Sequence, residues 1–408
     1  MKNGVVLLLA GLLMLPCLVS AGWFHQTSGT TNSLWSVNFP LEAITGYTVG
    51  WSGSILKTTD GGANWIGQNS GTTGGLLSVH FPVDALTGYI AGVMRDTILK
   101  TTNGGVNWVV ETSGTSSVLC SVQFPVDAST GYAVGDIGTV LKTTNGGADW
   151  VVQPSGTPYG LHSVYFPADA LTGYAVGVLG TILKTTNGGA AWVSQTSGTF
   201  RDLRSVCFPV DALTGYAAGN GGTMLKTANG GANWFSQTSG TTYDVYSVQF
   251  PVDVLTGYAM GEGIIQKTTD GGANWVSQTS GTTRDLCSVH FPVDALTGYA
   301  VGMGGTILKT TDGGVWVEEG KDDARFWMLD AGLRIRQNPT KTDIRCQILG
   351  VSGKESKLEI YDIAGKMVKD VGVVPPGRWV TVDLSPGIYF VRLESEDQTI
   401  TKKVVVVE

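Results

Sequence analysis

Charge is scarce in this chain. Asp, Glu, Lys and Arg make up 14% of its 408 residues and leave a net charge of −7. No basic surface is available for a phosphate backbone, and no nucleic-acid partner is expected. Histidine is scarcer, with four residues, and no two of the five cysteines lie close in sequence. Metal-ligand spacings of the Cys-x-x-Cys kind are therefore excluded, and neither metal nor cofactor is expected. No stretch shows the 3.6-residue apolar period of an amphipathic helix. The longest apolar run, Val5 to Leu15, is too short to span a bilayer.

That run has another reading. Lys2, the apolar stretch and the small residues Val19-Ser20-Ala21 have the order of a secretory signal peptide over residues 1–21. Export would permit disulfides. However, Cys120, Cys207, Cys287 and Cys346 lie in different repeats or domains, so they are read as free, mostly buried thiols.

What the chain has in abundance is repetition. The phrase KTTDGGANW at residues 57–65 returns with small changes from Lys100, Lys142, Lys184, Lys226, Lys267 and Lys309. Its tryptophans, from Trp65 to Trp316, fall 41 to 43 residues apart. A period of that size means stacked units, none of which buries its own apolar face alone. Each unit holds four short β-rich runs punctuated by Gly, Pro, Asp and Thr, the pattern of a propeller blade. The fold class is all-β: a seven-bladed β-propeller over residues 22–318, with inner strands centred on Val37, Val79, Val122, Val164, Val206, Val248 and Val289. A further run, Trp23 to Ser28, has no turn phrase before it. It is expected to pair into the last blade, although Val315 to Glu318 competes for that place.

The Lys and Arg residues mark the boundary: 12 of 26 lie in residues 1–316 and 14 in the remainder. Residues 319–336 read as a linker, and residues 337–408 as a second, Ig-like antiparallel β-sandwich.

The repeated turn T-x-[DN]-x-G-x-x-W resembles the Asp box of bacterial neuraminidase repeats. Its acid position holds Asp60, Asn103, Asn145, Asn187, Asn229, Asp270 and Asp312. Because Asn and Asp interchange there, the turn is structural, not catalytic: the side chain accepts its own turn amides and the glycines supply positive φ. Asp84, Asp127, Asp169, Asp211, Asp253 and Asp294 read as turn caps on the same logic.

The repeats disagree in two windows, between the outer and next inner strand and between the second and third strands. In an up-and-down blade both connections emerge on one face. The windows hold every propeller arginine, Arg95, Arg201, Arg204 and Arg284, together with Trp35, Trp51, Tyr159, His162, Phe200, Tyr243 and Tyr246. Arginine and aromatics gathered on one face have the composition of a recognition surface. The expected partner is a protein or a polysaccharide. The alternative is an extracellular glycoside hydrolase or sialidase-like enzyme on the same ring. Its carboxylates would come from Asp136, Asp202, Asp244, Glu262 and Asp285, but no acid–base pair is identifiable from spacing.

Two resemblances extend this reading. F-P-x-D-A-x-T-G-Y-x-V-G followed by G-T-I-L-K-T-T-D-G-G-x-x-W closely resembles the photosystem II assembly and stability factor-like propellers, which implies a non-catalytic binding ring. The tail resembles the type A C-terminal sorting domain of the type IX secretion system. It matches in Asn338-Pro339, the run Leu358 to Val368, Ser385 to Leu393, and the terminal Lys402, Lys403, Val404, Val405, Val406 and Val407. That resemblance implies an outer-membrane secretion machinery as partner, and an extracellular or surface location on a Gram-negative-type cell.

Overall fold

The computed structural model describes residues 22–40, 42–93 and 97–314, and beyond them 325–330, 333–337, 343–348, 356–362, 365–375, 379–385, 387–394 and 399–406. The described chain forms two compact units that divide at Gly314/Val315.

The first unit is a ring of seven four-stranded antiparallel sheets. Blade 1 runs through Leu34–Asn38, Gly46–Gly50, Ile55–Thr58 and Ile66–Gln68. Blades 2 to 6 repeat this order, with inner strands Leu76–His80, Leu119–Gln123, Leu161–Tyr165, Leu203–Cys207 and Val245–Gln249. Blade 7 takes Leu286–His290, Gly298–Gly302 and Thr306–Thr310 from the end of the repeats, and its outer strand from the other end of the ring. Phe24 pairs with Lys309 and Gln26 with Ile307. The N-terminal strand thus closes the ring, which covers an edge that would otherwise be open. The competing strand, Val315 to Glu318, and Trp316 lie outside the described residues.

The N-terminus also completes the last blade's core. In blade 2 the box tryptophan Trp108 meets Phe81 edge-on at 6.1 Å. In blade 7 the ring that meets Phe291, at 5.9 Å, is Trp23. The backbone amide of Gly22 meanwhile donates to the Asp312 carboxylate. Asn64 N–H makes the same bond to Asp60.

Adjacent blades are sewn together by the repeated residues. Tyr47 is fully buried and stacks on Phe81 of the next blade, with centroids 4.0 Å apart. Its hydroxyl lies 2.8 Å from Ala85 O and 3.1 Å from Gly104 O. Lys57 Nζ donates to the same Gly104 carbonyl and sits 5.4 Å from the Tyr47 ring. These bonds recur between every pair of blades, ending with Tyr299 and Lys309 on Gly61 of blade 1. Nearer the centre, each inner-strand serine accepts the next blade's backbone amide, from Val79 N–H on Ser36 around to Val37 N–H on Ser288. A buried polar group is tolerated only when paired in this way.

The turns behave as read. Thr58 Oγ1 donates to Asp60 Oδ1, and Gly62 N–H to Thr58 Oγ1. Asn103 accepts the equivalent bonds with its amide oxygen, so a charge is not needed there. Asp84 accepts both Leu86 and Thr87 amides, as a turn cap does. Cys120, Cys207 and Cys287 are free thiols, the last two buried.

The second unit holds two four-stranded sheets, ordered Arg325–Asp330, Leu333–Gln337, Asp343–Ile348, Trp379–Asp383 and Met367–Val374, Ser356–Asp362, Gly387–Glu394, Thr399–Val406. Leu358, Ile360, Val382, Val391 and Leu393 share one core. The stretch read as linker, 319–336, instead contains all of one strand and most of a second. Short alternating runs such as RFWMLD and LRIRQ lie next to a charged segment, and that segment masked the signal. Asp362 accepts Lys366 N–H across the expected Asp-x-x-Gly turn. Among the described residues the last strand is an edge, paired on one side only, with Val406 opposite Gly387. Lys402, Lys403, Val404, Val405 and Val406 lie on that strand, and Val407 lies outside the described residues.

Candidate functional site: the variable-loop face

The hydrogen bonds place the connections on opposite faces. Each Tyr hydroxyl touches both a first-to-second and a third-to-fourth connection, as Tyr47 does at Ala85 and Gly104, so those two uniform connections share a face. On the other face, Trp51 N–H donates to Ser33 O and Gly53 N–H to Gly74 O, which ties the two variable windows together.

One position per blade marks the edge of that second face. The pairing of inner and second strands slips at the second residue of each inner strand, between Leu34 and Ser36 in blade 1 and at the matching place in all the others. A bulge of this kind re-aims the side chain it carries. The seven bulged residues are Trp35, Leu77, Cys120, His162, Arg204, Tyr246 and Cys287. Flanking strand positions repeat a Leu or Val, a Ser and a Val, whereas this one takes six residue types in seven copies. Leu77, Cys120 and Cys287 belong to the site by this register and were not singled out from sequence as face residues. The only signal for them was their place at the end of the variable window.

The ring has distinct arcs. In blade 1, Trp35 and Trp51 meet edge-on at 6.2 Å, with Trp51 exposed in its turn. Across blades 4 and 5, Arg204 donates through Nε to Asn220 Oδ1 at 3.0 Å, and its Nη1 lies 3.3 Å from His162 Nε2. Asp202 lies 3.7 Å from the same guanidinium. Burial, then the Arg204 charge, lowers the His162 pKa against the opposing pull of Asp202 and Asp136. His162 is thus held neutral and able to accept from Arg204. Burial and Asp136 push the Cys120 thiol up to about 12, with Arg204 opposing.

Blades 6 and 7 form an acidic arc. Burial, then Asp285, Glu262, Asp244 and Cys287, push the Tyr246 hydroxyl up to about 12. Burial with Glu262 and Asp244 also raises the Asp285 carboxyl above its ordinary range. The mouth therefore presents a cationic arc beside an anionic one, with the Trp35–Trp51 pair of blade 1 on the far side of the acidic arc.

Several candidates hold the loops rather than project from them. Asp202 Oδ1 accepts Leu179 N–H at 3.0 Å and Asp244 Oδ1 accepts Gly221 N–H at 2.6 Å, each capping the preceding blade's turn. Leu179 has φ +53°, and Gly221 +61°. Arg284 Nη1 donates to Gly304 O at 2.7 Å. Arg201 lies so close over Gly221 that an added Cβ would stand 1.8 Å from its Nη1. The turns under these two arginines carry Gly where others carry Ser52, Ile137 or Leu179 at positive φ. Arginine and glycine are thus a matched pair in blades 5 and 7. Tyr159, Tyr243 and Phe200 are exposed on the outer-to-inner connections, Phe200 by 88%. Arg95 lies outside the described residues. His80 and His290, on separate blades, each donate to a carbonyl of the neighbouring blade, Phe124 O and Phe39 O at 3.1 Å.

Comparison with known proteins agrees with the repeat and the tail. Residues 158–288 match the family model described as photosynthesis system II assembly factor YCF48, and residues 338–407 match the secretion system C-terminal sorting domain. Among solved structures, one titled "YCF48 bound to D1 peptide" aligns with a TM-score of 0.61 at 18% identity, covering 72% of this chain and 97% of that one. YCF48 from Cyanidioschyzon merolae aligns with a TM-score of 0.59 at 21% identity, covering 71% and 98%. At such identities the likeness is one of fold. None of the curated proteins matches the chain.

Proposed function

We propose that this is an exported propeller that binds an extended segment of another protein across the mouth of its variable-loop face. The observation that carries this is the ring of bulged residues. Seven near-identical blades differ where a ligand on the axis meets all of them at once, while the opposite face is uniform and spends its polar groups on sealing blades. A peptide with an acidic group near Arg204, a basic or donor group near Asp285 and Glu262, and an aromatic residue for Trp35 and Trp51 fits the three arcs. Complementary charge fixes orientation more than affinity, and the aromatic and arginine anchors supply the energy.

The protein arm is favoured over polysaccharide because the solved relative is a peptide complex. For the hydrolase reading, Asp202 and Asp244 are engaged by backbone amides, which leaves Asp285, raised by burial beside Glu262, as its carboxylate candidate. For export, the 1–21 signal and the sorting tail form one route, out of the cytoplasm and then across the outer membrane. The edge strand Thr399–Val406 is suited to capture by strand pairing.

The test is panning a random 12-residue peptide library on the full chain from Gly22 to Glu408. Enriched peptides should lose about tenfold or more in affinity with Arg204→Ala or Trp51→Ala, a hot-spot effect of about 1.4 kcal/mol or above. Val126→Ser, exposed on the opposite face, should change nothing. Sensitivity to Val126→Ser alone would overturn the proposal.

A further inference from the structure

Among the described residues, the seventh turn has a contact the other six lack. In turns 1 and 6 the acid's second oxygen is filled by a side-chain amide of the same turn, Asn64 Nδ2 on Asp60 and Asn274 Nδ2 on Asp270, both at 2.7 Å. Turns 2 to 5 carry Asn, which cannot be a counter-ion. In turn 7 Asp312 receives Thr310 Oγ1 and Gly314 N–H on Oδ1. Gly22 N, 290 residues away in sequence, lies 3.3 Å from Oδ1 and 3.0 Å from Oδ2. One nitrogen therefore stands within bonding distance of both oxygens of an aspartate. The residue before it, Ala21, ends the Val-Ser-Ala sequence of a leader peptide. A backbone amide has one proton for two oxygens, whereas an ammonium has three protons and a charge.

We propose that Asp312 is the receptor for a newly made N-terminus: cleavage between Ala21 and Gly22 yields an α-ammonium on Gly22 whose ion pair with Asp312 latches the ring. This inference rests on the reading of the chain as exported. A leader peptidase catalyses the step and water is the co-reactant. Water adds across the Ala21–Gly22 amide, its oxygen forming the Ala21 carboxylate as the C–N bond breaks. The Gly22 nitrogen takes protons to become –NH3+. The pair then sets Trp23 against Phe291 and Tyr258, and Phe24–Gln26 along Thr306–Thr310. Export and closure of the ring are thereby coupled, since an uncleaved chain offers Asp312 only a neutral amide.

The α-amine titrates near about 8 when unfolded, and pairing with a carboxylate raises that value in the folded ring. Its contribution is therefore complete below pH about 8 and is lost as pH rises through the folded value. Other groups face the same turn. Lys267 Nζ and the Tyr258 hydroxyl both bond Gly313 O. Gln278 donates there too and accepts Trp23 Nε1–H. Asp294 acts on Tyr258. Burial depresses Lys267 to about 8, opposed by Asp312. Lys267 is therefore a second titration in the same range, and only a comparison of two chains that both carry it isolates the α-amine.

Four full-length proteins make that comparison: the chain from Gly22, the same chain preceded by Ser-Ala so that Gly22 carries an amide, and each with Asp312→Asn. Asn already serves this position in turns 2 to 5, so the substitution keeps the turn. At pH 7 the chain from Gly22 should melt about 2 to 4 °C above the extended one. The difference should vanish with Asp312→Asn, and also at pH 10. Equal melting at pH 7, or a difference that survives Asp312→Asn, overturns the latch. The intact mass of the exported protein should also begin at Gly22, and another start would overturn the assignment. Failure to recover any exported chain would instead count against the export reading, while the melting comparison still decides the latch.

Discussion

Trp23→Ala is expected to destabilise the propeller by about 3 to 5 kcal/mol, the range for removing a buried large aromatic. Trp23 is 7% exposed and meets Phe291 and Tyr258 edge-on at 5.9 and 6.4 Å. Its indole N–H donates to Gln278 Oε1 at 2.9 Å, whereas the indole nitrogens of Trp65, Trp108, Trp150, Trp192, Trp234 and Trp275 have no partner among the described residues. Alanine here removes the wedge, a hydrogen bond and the anchor of the closing strand at once. Three residue pairs join that strand to blade 7, beside the Gly22–Asp312 and His25–Gly281 contacts, so Trp23 carries much of its anchoring. Urea titration of the full chain, followed by tryptophan fluorescence, reads the loss as an earlier propeller transition. A loss under about 1 kcal/mol, with Trp316→Ala the costly change, would give the seventh place to the other end of the repeats.

Gly135→Ala is expected to be at least as damaging, above about 3 kcal/mol, for a different reason. Gly135 has φ −170°, extended backbone open to any residue, so conformation is not the constraint. Space is. A Cβ there would stand 1.9 Å from Val118 O and 3.0 Å from Leu119 Cα, and both neighbours are backbone. Relief requires moving the outer-to-inner connection off the second strand, which breaks the Asp136 N–H bond to Val118 O. Overpacking that forces backbone shifts costs about 1 to 3 kcal/mol and occasionally more, and two backbone neighbours that have nowhere to move put this site beyond the usual range. Gly156→Ala is the matched control: it has φ +75° but nothing within 4 Å, and should cost about 1 to 2 kcal/mol for the left-handed backbone alone. If the two cost the same in urea titration, the close approach is not what fixes this glycine.

The sequence carried much of the fold because each element of the repeat has one physical task repeated seven times. The box turn, the Asp84-type caps, the closing N-terminal strand and the free thiols of Cys120, Cys207 and Cys287 were legible. The candidate face was legible only as a region. Its windows came from disagreement between copies, but disagreement does not report where a side chain points. Arg201 and Arg284 look like recognition groups in sequence. In the fold they lie over Gly221 and Gly304, a pairing visible only once the turn geometry is known. Conversely, Cys120 and Cys287 read as core thiols, and the register slip places them in the ring with Arg204 and Tyr246. The strands Arg325–Asp330 and Leu333–Gln337 were missed because they follow directly on a charged stretch.

Hydrogen–deuterium exchange on the full chain, with and without a peptide enriched from the library, tests the central claim most directly. Slowed exchange is predicted in the turns Asp136–Gly138, Val178–Gly180 and Asn220–Gly222 and in the connections 158–162 and 200–204. Protection confined to the uniform connections, 125–130 and 144–149 among them, would contradict a binding role for the variable-loop face.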